Sequence, residues 1–387
     1  MTHMHVAGSI HADATLPAPV WLTRPDDVNA LVPKLWSRTV SRGEDGVISV
    51  GGLKLTDLVE QVGTPAYVMD EDDFRARAAE WRDAFAGWQV YYAGKAFLCT
   101  TVARWVAQEG LGLDVCSLGE LTVALRAGVP PELIGMHGNN KSEQELRVGL
   151  AKGVGRIIVD SADEIARLER LCAELDTTAR VMVRVTTGVE AHTHEYIATA
   201  HEDQKFGFSI QGGQALVAMV RCYHSPRLEL RGIHSHIGSQ IFDTNGFEVA
   251  ARRTLKLVSQ FKEATGVSLP ELDLGGGFGI AYIKDDDPAP AAQLAAGLRE
   301  IIDHEVRAFG LVEPAISIEP GRAIVGPSTL AVYRVGTVKV VEIGGGMTRR
   351  YVSVDGGMSD NIRPALYGAE YSATLASRSS QAEPAVS

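Results

Sequence analysis

In the stretch "WQVYYAGKAFL", residues 88–98, Val90 and Tyr91 lead through Ala93 and Gly94 to a single amine, Lys95, with Ala96 and Phe97 directly after it. A lysine at a strand end is ordinarily a solvated end-piece. Held in a pocket, partly buried and so partly neutral, the same amine can attack an aldehyde. What the rest of the chain brings near it decides between the two. Polar residues close the later apolar runs as well: Asp114, Cys116 and Ser117; His137, Asn139 and Asn140; Asp160 and Ser161; His234, His236 and Ser239; Glu319, Gly321 and Arg322. In "DLGGGFG", Gly275, Gly276 and Gly277 let a backbone approach an anion closely with N–H groups turned toward it. "EPGR" adds Gly321 and the Arg322 guanidinium, whose fork suits phosphate oxygens. "HSH" at 234–236 sets two imidazoles two residues apart, a spacing that also suits a metal pair.

These side chains need a scaffold that gathers strand ends. From residue 88 to about 325 a short apolar run, a polar or glycine loop and an amphipathic helical stretch recur, as in "RIIVDS" followed by "ADEIARLERLCAEL". About eight such units predict an α/β fold, a closed (β/α)8 TIM-type barrel with an outer ring of helices. A doubly wound open sheet is the second architecture. Residues 41–64 and 326–371 have a different texture: "LAVYRVGTVKVVEI" and "RRYVSVDGGMSD" alternate like antiparallel strands. They predict a β-rich domain built from both chain ends, around a barrel over 65–325. Residues 1–40 read as an arm and 372–387 as a disordered tail.

In a barrel of this kind the strand ends share one mouth, and the loops after the last two strands often hold phosphate. An amine, a phosphate cup and a carboxylate together suggest pyridoxal 5′-phosphate. Lys95 would form the Schiff base, the glycines would hold the phosphate, and Glu319 would keep the ring nitrogen protonated. His236 would cover one ring face. A metal-dependent barrel hydrolase, argued from His234 and His236, is a rival reading. His192 and His194 in "EAHTHE" read as loop residues, as does Lys205.

The composition is that of an ordinary globular chain. Of 387 residues 45% are apolar and 22% charged, and the net charge of −11 argues against a nucleic-acid binder. No apolar run approaches the length of a membrane-spanning helix. The four cysteines are widely spaced and form no C-x-x-C pair, which fits free thiols in a reducing cytoplasm.

Taken together, "YAGKA", "HSHIGSQ", "LDLGGGFG", "EPGR" and "SVDGGMSDNIRPALYGAEY" resemble the diaminopimelate decarboxylases, in the alanine-racemase-like group of pyridoxal-phosphate enzymes. The likeness runs in order from about residue 50 to 371, and "HGNNKS" resembles the actinobacterial branch. It implies a cytoplasmic homodimer with active sites at the interface and decarboxylation of meso-2,6-diaminopimelate to L-lysine, the last step of lysine biosynthesis. By motif, Lys95 is implied as the Schiff-base lysine, His236 as the stacking imidazole and Glu319 as the partner of the pyridine nitrogen. Ser239, Gly276, Gly277, Gly321 and Arg322 fall around the phosphate, with Arg322 also toward substrate. Arg363 and Tyr367 would hold the distal carboxylate of the small-molecule substrate.

One departure stands out. The family's Cys-Glu-Ser-Gly-Asp run and a later tyrosine are not among the residues up to Ser387. The expectation is therefore an incomplete β domain and impaired turnover. A cofactor-binding homologue with little activity, or a related basic-amino-acid decarboxylase, are the alternatives; Arg363 disfavours the second, because it repels a substrate that ends in an ammonium.

Overall fold

A computed structural model describes residues 27–188, 205–344 and 347–381. They fall into two units, and each is taken by itself. The first holds the described residues up to Asp70, Tyr282–Lys284 and Thr329 onward; the second holds Glu71–Ala281 and Asp285–Ser328.

The first unit opens with short antiparallel strands β1 (Ser41–Arg42), β2 (Ile48–Val50) and β3 (Leu53–Lys54). Only Gly51 and Gly52 join β2 to β3, with φ of 57° and 78°. A two-residue hairpin whose twist matches its strands needs that left-handed geometry. Helix α1 (Leu55–Val62) and strand β4 (Ala66–Met69) follow.

The second unit begins with α2 (Glu71–Ala84), whose first turn carries Glu71, Asp72 and Asp73 against the positive end of the helix dipole. Strands and helices then alternate: β5 (Gln89–Ala93), α3 (Thr100–Gln108), β6 (Gly112–Val115), α4 (Leu118–Ala127), β7 (Ile134–Met136), α5 (Glu143–Lys152), β8 (Arg156–Val159), α6 (Ala162–Glu174), β9 (Ala179–Thr186), β10 (Phe208–Ser209), α7 (Gln214–His224), β11 (Leu228–Ser235), α8 (Asn245–Thr265), β12 (Glu271–Asp273), α9 (Ala291–Ala308), β13 (Ala315–Ile318) and the short α10 (Arg322–Val325). The sheet runs β5-β6-β7-β8-β9-β11-β12-β13, all parallel, and β13 pairs back onto β5. The expected eight-stranded barrel is thus closed, and the two-residue β10 lies beside the end of β9. Strands such as β6 and β8 are buried at every residue, because one face fills the barrel and the other meets the helices. On α6 the inward stripe is Ile165, Leu168, Leu171 and Cys172, the three-to-four residue rhythm of a helix with one apolar face.

The chain then returns to the first unit with β14 (Thr329–Val332), which pairs antiparallel with β4, the long β15 (Val335–Gly344) and β16 (Met347–Val354), paired with each other, and α11 (Arg363–Tyr367). A small core of Ile48, Val50, Leu55 and Val332 gathers Val68, Leu330 and Ala376 around it. Val338 and Val340 on β15 and Val352 and Val354 on β16 are exposed.

Two expected boundaries move. The run "AYVM" lies at the start of the expected barrel, yet β4 pairs with β14, and the barrel unit begins at Glu71. A short apolar run reads alike whichever sheet takes it. The tail expectation is corrected for residues 372–381. They form no helix or strand, but Ile48 N donates to Ala376 O at 2.8 Å, and Ser380 N donates to Asn29 Oδ1 at 2.7 Å. Arg42 adds a fan of contacts: Nη1 to Leu375 O (2.9 Å) and Gly46 O (2.8 Å), and Nη2 to Thr374 Oγ1 (2.9 Å). A segment without periodicity is held here by another strand's backbone and by one guanidinium. Residues 382–387 lie outside the described residues, as do His192 and His194.

Removing the guanidinium tests this anchor. Arg42→Ala should cost roughly 2 kcal/mol, the scale of hydrogen bonds made by a charged donor. It should also make 372–381 the first segment cut in limited proteolysis. Equal cleavage rates in wild type and variant would show that Arg42 does not hold the segment.

Candidate active site

The loops that follow the strands are set by helix caps. Ser117, Ser142 and Ser161 each accept the N–H of the glutamate three residues on, at the starts of α4, α5 and α6. The glutamates reach back in turn. Glu120 accepts from Cys116 N (2.5 Å), Glu145 from Ser142 N (2.8 Å) and Glu164 from Asp160 N (2.9 Å). The buried Lys141 ties neighbouring strand ends together, its Nζ donating to Gly138 O (2.7 Å) and Ile158 O (2.6 Å) and pairing with Glu164 (2.7 Å).

Lys95 sits in a single 3₁₀ turn, Gly94–Ala96, directly after β5. It is exposed, which corrects the expectation of a partly buried amine: the short turn carries it out of the packed strand. Across the mouth the backbones of three strand ends interlock. A side chain at Gly276 would put its Cβ 2.2 Å from Glu319 O, and one at Gly277 would lie 2.3 Å from Gly238 O, just before Ser239. Gly277 also has φ of 107°, a conformation that L side chains rarely adopt. Gly275 N donates to Asp273 Oδ1 (2.7 Å) and Glu319 N donates to Gly275 O (2.9 Å). Phe278 roots this loop: it is buried, with its ring 4.6 Å from Trp81 and stacked 5.2 Å from Phe247. Gly321 closes the circuit, leaving 3.0 Å between its would-be Cβ and Ala93 of β5.

His236 lies on this loop, its Nδ1 accepting from Gly276 N at 3.4 Å. Burial, and then the nearby Lys95 charge, hold its imidazole well below the usual histidine range, so the ring is neutral at pH 7. Cys116 faces the same mouth, and the protein packed about it pushes its thiol up to about 11, so it is a thiol rather than a thiolate. Arg322 leads α10, and its Nη1 is buried with no hydrogen-bond partner among the described residues.

Beneath the mouth the barrel interior is charged. Glu319, Asp114, Asp273, Arg156, His137 and His234 are all buried. Arg156 Nη2 lies 2.5 Å from Asp273 and 3.7 Å from Asp114, Nη1 donates to Ser317 Oγ at 2.9 Å, and the guanidinium covers the Tyr91 ring at 3.8 Å. His137 Nε2 and His234 Nε2 are each 3.2 Å from Glu319 Oε1. Burial pushes the Glu319 carboxyl up, but His137, His234 and Arg156 outweigh it and hold it well below the usual carboxylate range. Asp114 goes the other way, raised by burial and then by Glu319. Burial lowers His137 to about 4 and His234 in the same direction.

The structure therefore brings Lys95, His236, Gly276, Gly277, Glu319, Gly321 and Arg322 to one barrel mouth, with Ser239 on the adjoining loop. The paired imidazoles of "HSH" take different partners: His234 faces Glu319, whereas His236 meets Gly276 N. Arg363 and Tyr367 belong to the other unit. There Arg363 Nε donates to Tyr371 Oη (2.8 Å), and the guanidinium lies 5.6 Å from the Tyr367 ring and 5.3 Å from Tyr282. Lys205 packs its amine 5.1 Å from the Phe206 ring. Sequence reasoning passed over Arg156, Asp273 and Ser317, and gave Asp114 and His137 no task. A signal was present: an arginine opening the buried run "RIIV", and an aspartate inside "ELDL".

An exposed amine, a close-packed glycine loop, a guanidinium whose Nη1 has no partner among the described residues and a buried carboxylate are groups that a pyridoxal-type barrel site would use, and the comparisons point to that class. The family described as "Pyridoxal-dependent decarboxylase, pyridoxal binding domain" matches residues 71–326. The diaminopimelate decarboxylase of Mycobacterium leprae is 52% identical over 390 residues, covering 99% of this chain and 83% of that protein. That of Mycobacterium tuberculosis is 54% identical over 359 residues, 92% of this chain and 80% of its own length. Among solved structures, a diaminopimelate decarboxylase from M. jannaschii in co-complex with L-lysine superposes with a TM-score of 0.79 at 31% identity, covering 87% of this chain and 77% of that one. The chain is a pyridoxal-dependent decarboxylase by class and belongs to the diaminopimelate decarboxylase family. The Mycobacterium relatives bear out the likeness to the actinobacterial branch.

The buried imidazoles make the barrel acid-sensitive. Between the unfolded histidine pKa near 6.5 and the folded value of about 4 for His137, the unfolded chain binds a proton that the folded chain does not. Stability therefore falls as pH drops through that window, by up to about 3 kcal/mol from His137. His137→Asn should flatten this acid limb in denaturant titrations. A variant whose stability falls as steeply as wild type between these limits would remove His137 from the account.

Proposed function

We propose that this chain converts meso-2,6-diaminopimelate to L-lysine and CO2, using pyridoxal 5′-phosphate held in the mouth of its barrel. The observation that carries the reading is the juxtaposition of Lys95, the glycine cradle and the buried Glu319 on three consecutive strand ends of one closed sheet. The residues fit the cofactor on three counts. Arg322 has a buried Nη1 with no partner among the described residues, suited to a phosphate oxygen, the Gly275–Gly277 backbone passes where no side chain fits, and Glu319 is an anion suited to a cationic ring nitrogen. When bound, pyridoxal phosphate supplies a sink for the electron pair that the departing carboxylate leaves behind.

The chain's own residues then divide the work. Lys95 would hold the cofactor through its amine. His236, neutral and flat, covers one ring face. Glu319 holds a proton at the ring nitrogen, which keeps the sink effective. Gly276, Gly277, Gly321, Ser239 and Arg322 bind the phosphate. In the reaction the bond between the α-carbon and its carboxylate breaks, CO2 leaves, and a proton takes its place on the same carbon. Arg363, steered by Tyr371 and flanked by Tyr367, binds the distal carboxylate and repels a distal ammonium. We further propose a cytoplasmic homodimer. Four free thiols and the family likeness support this, and among the described residues no helix is long and apolar enough to cross a membrane.

Purified protein should absorb in the visible through its covalently held cofactor and lose that band on borohydride treatment. Lys95→Ala should lack the covalent link. A colourless protein that takes up no added cofactor, or one carrying stoichiometric zinc, would sink the assignment. Glu319→Gln should bind the cofactor yet release CO2 about a hundredfold more slowly, the scale of one charge-stabilising contact. A rate within about twofold of wild type, well under 1 kcal/mol by transition-state arithmetic, would show that the carboxylate is not the ring partner. Arg363→Ala should weaken diaminopimelate binding by several kcal/mol because a substrate charge is left unpaired. Ornithine binding as tight as that of diaminopimelate to wild type would remove Arg363 from substrate selection.

A further inference from the structure

Two carboxylates converge on one ring nitrogen beneath the mouth. Asp114 Oδ1 and Glu319 Oε1 each lie 3.2 Å from His137 Nε2. His234 Nε2 lies 3.2 Å from the same Glu319 oxygen. All four side chains are buried, and among the described residues none of these atoms has a partner in hydrogen-bond geometry, so the contacts stand as close ion-pair distances that a small rotation of either ring would turn into hydrogen bonds. A neutral imidazole has one N–H to offer at Nε2. Two anions sharing it in a medium of low dielectric repel each other, and such a pair relieves the repulsion by protonating one member.

The surroundings decide which member. Arg156 is bound most closely to Asp273, at 2.5 Å, and lies at similar distances from Asp114 (3.7 Å) and Glu319 (4.0 Å), so it does not discriminate. His234 does, because it reaches Glu319 alone of the two. On β7 the neighbouring Gly135 presents bare backbone: a Cβ there would lie 2.2 Å from Asp114 Oδ1 and 3.2 Å from Arg156 Nε. The Asp114 carboxyl is thus packed against β7, with no room for a further side chain to approach from that position. Of the other charges near this cluster, Arg184 on β9 is occupied with Asp160 (3.7 Å), and Asp273 on β12 accepts from Ser317 Oγ (2.7 Å).

We propose that Asp114 holds a proton beneath the site, so that the Nε2–H groups of His137 and His234 both serve Glu319, and that Asp114 and His137 are positioning residues for the carboxylate that meets the ring nitrogen. The proposal deepens the pyridoxal reading and rests on it for the role of Glu319 alone. The upward shift of Asp114 and the downward shift of Glu319 agree with it.

Two measurements separate this proposal from the cofactor reading. The first uses the full chain without cofactor. Its infrared spectrum at neutral pH should show the carbonyl stretch of a buried protonated carboxylic acid, and Asp114→Asn should lack that band. A wild-type spectrum without the band, or a band that survives in Asp114→Asn, overturns the proposal whether or not the cofactor binds. The second uses protein loaded with pyridoxal phosphate labelled with nitrogen-15 in the ring. Asp114→Asn mimics a neutral acid, so it should keep the ring nitrogen protonated over the neutral to mildly alkaline range, with cofactor affinity within about threefold, less than 1 kcal/mol. His137→Gln should weaken the cofactor about tenfold and lower the pH at which the ring proton is lost by about one unit. An unchanged His137→Gln, or an Asp114→Asn impaired as much as His137→Gln, also overturns it. Failure of wild type to bind the cofactor would instead overturn the pyridoxal reading and leave the infrared result to decide.

Discussion

Taking the Glu319 carboxylate out of water costs several kcal/mol unless other groups replace the lost solvation. Much of the barrel interior is arranged to do that. Two imidazoles stand 3.2 Å from one of its oxygens and a guanidinium stands 4.0 Å away. The guanidinium in turn is held by Asp273, Ser317 and the face of Tyr91. Asp273 also accepts from Gly275 N, so the groups that stabilise the buried charge fix the glycine loop above it. The buried charges and the glycine loop above them are therefore one mechanical unit. A change that loosens Arg156 should be felt at both, because removing one partner from a buried ionic cluster leaves an uncompensated charge.

In the β-rich unit, the role proposed for Arg363 in substrate selection poses a different problem. Arg363 is half-buried on a short helix. The Tyr371 hydroxyl takes its Nε, and the rings of Tyr282 and Tyr367 flank it. With that edge committed, the two terminal nitrogens keep the fork geometry that matches a carboxylate. Selectivity by such a group depends on pre-ordering, since a freely moving side chain gives up much of the binding free energy in lost rotamer freedom.

The strand-end loops owe their order to the Ser-x-x-Glu caps of α4, α5 and α6. Each cap uses a backbone donor that would otherwise be orphaned at a helix start. Each glutamate also reaches the residue at or just before the cap, and in two of the three that residue, Cys116 or Asp160, directly follows a barrel strand. Helix initiation and loop placement are thus a single local event. That is why a repeated sequence pattern could announce where the polar strand ends would lie.

By itself the sequence determined the local events. The alternation of apolar runs and amphipathic helices specified the barrel, because burial of strands on both faces and of helices on one leaves a distinct period in each. The glycine run, "EPGR" and Lys95 marked the mouth, because each needs a backbone or side-chain property that few other residues supply. Only the tertiary structure decided what those residues meet. Arg156, Asp273 and Ser317 are far apart in the chain and become partners when β8, β12 and β13 close around one interior. The run "AYVM" and the residues after Tyr371 carry no period that says which sheet or which guanidinium will hold them. Whether Lys95 was buried, and which carboxylates meet at His137, followed from distances between strands, and spacing along a single strand does not contain those distances.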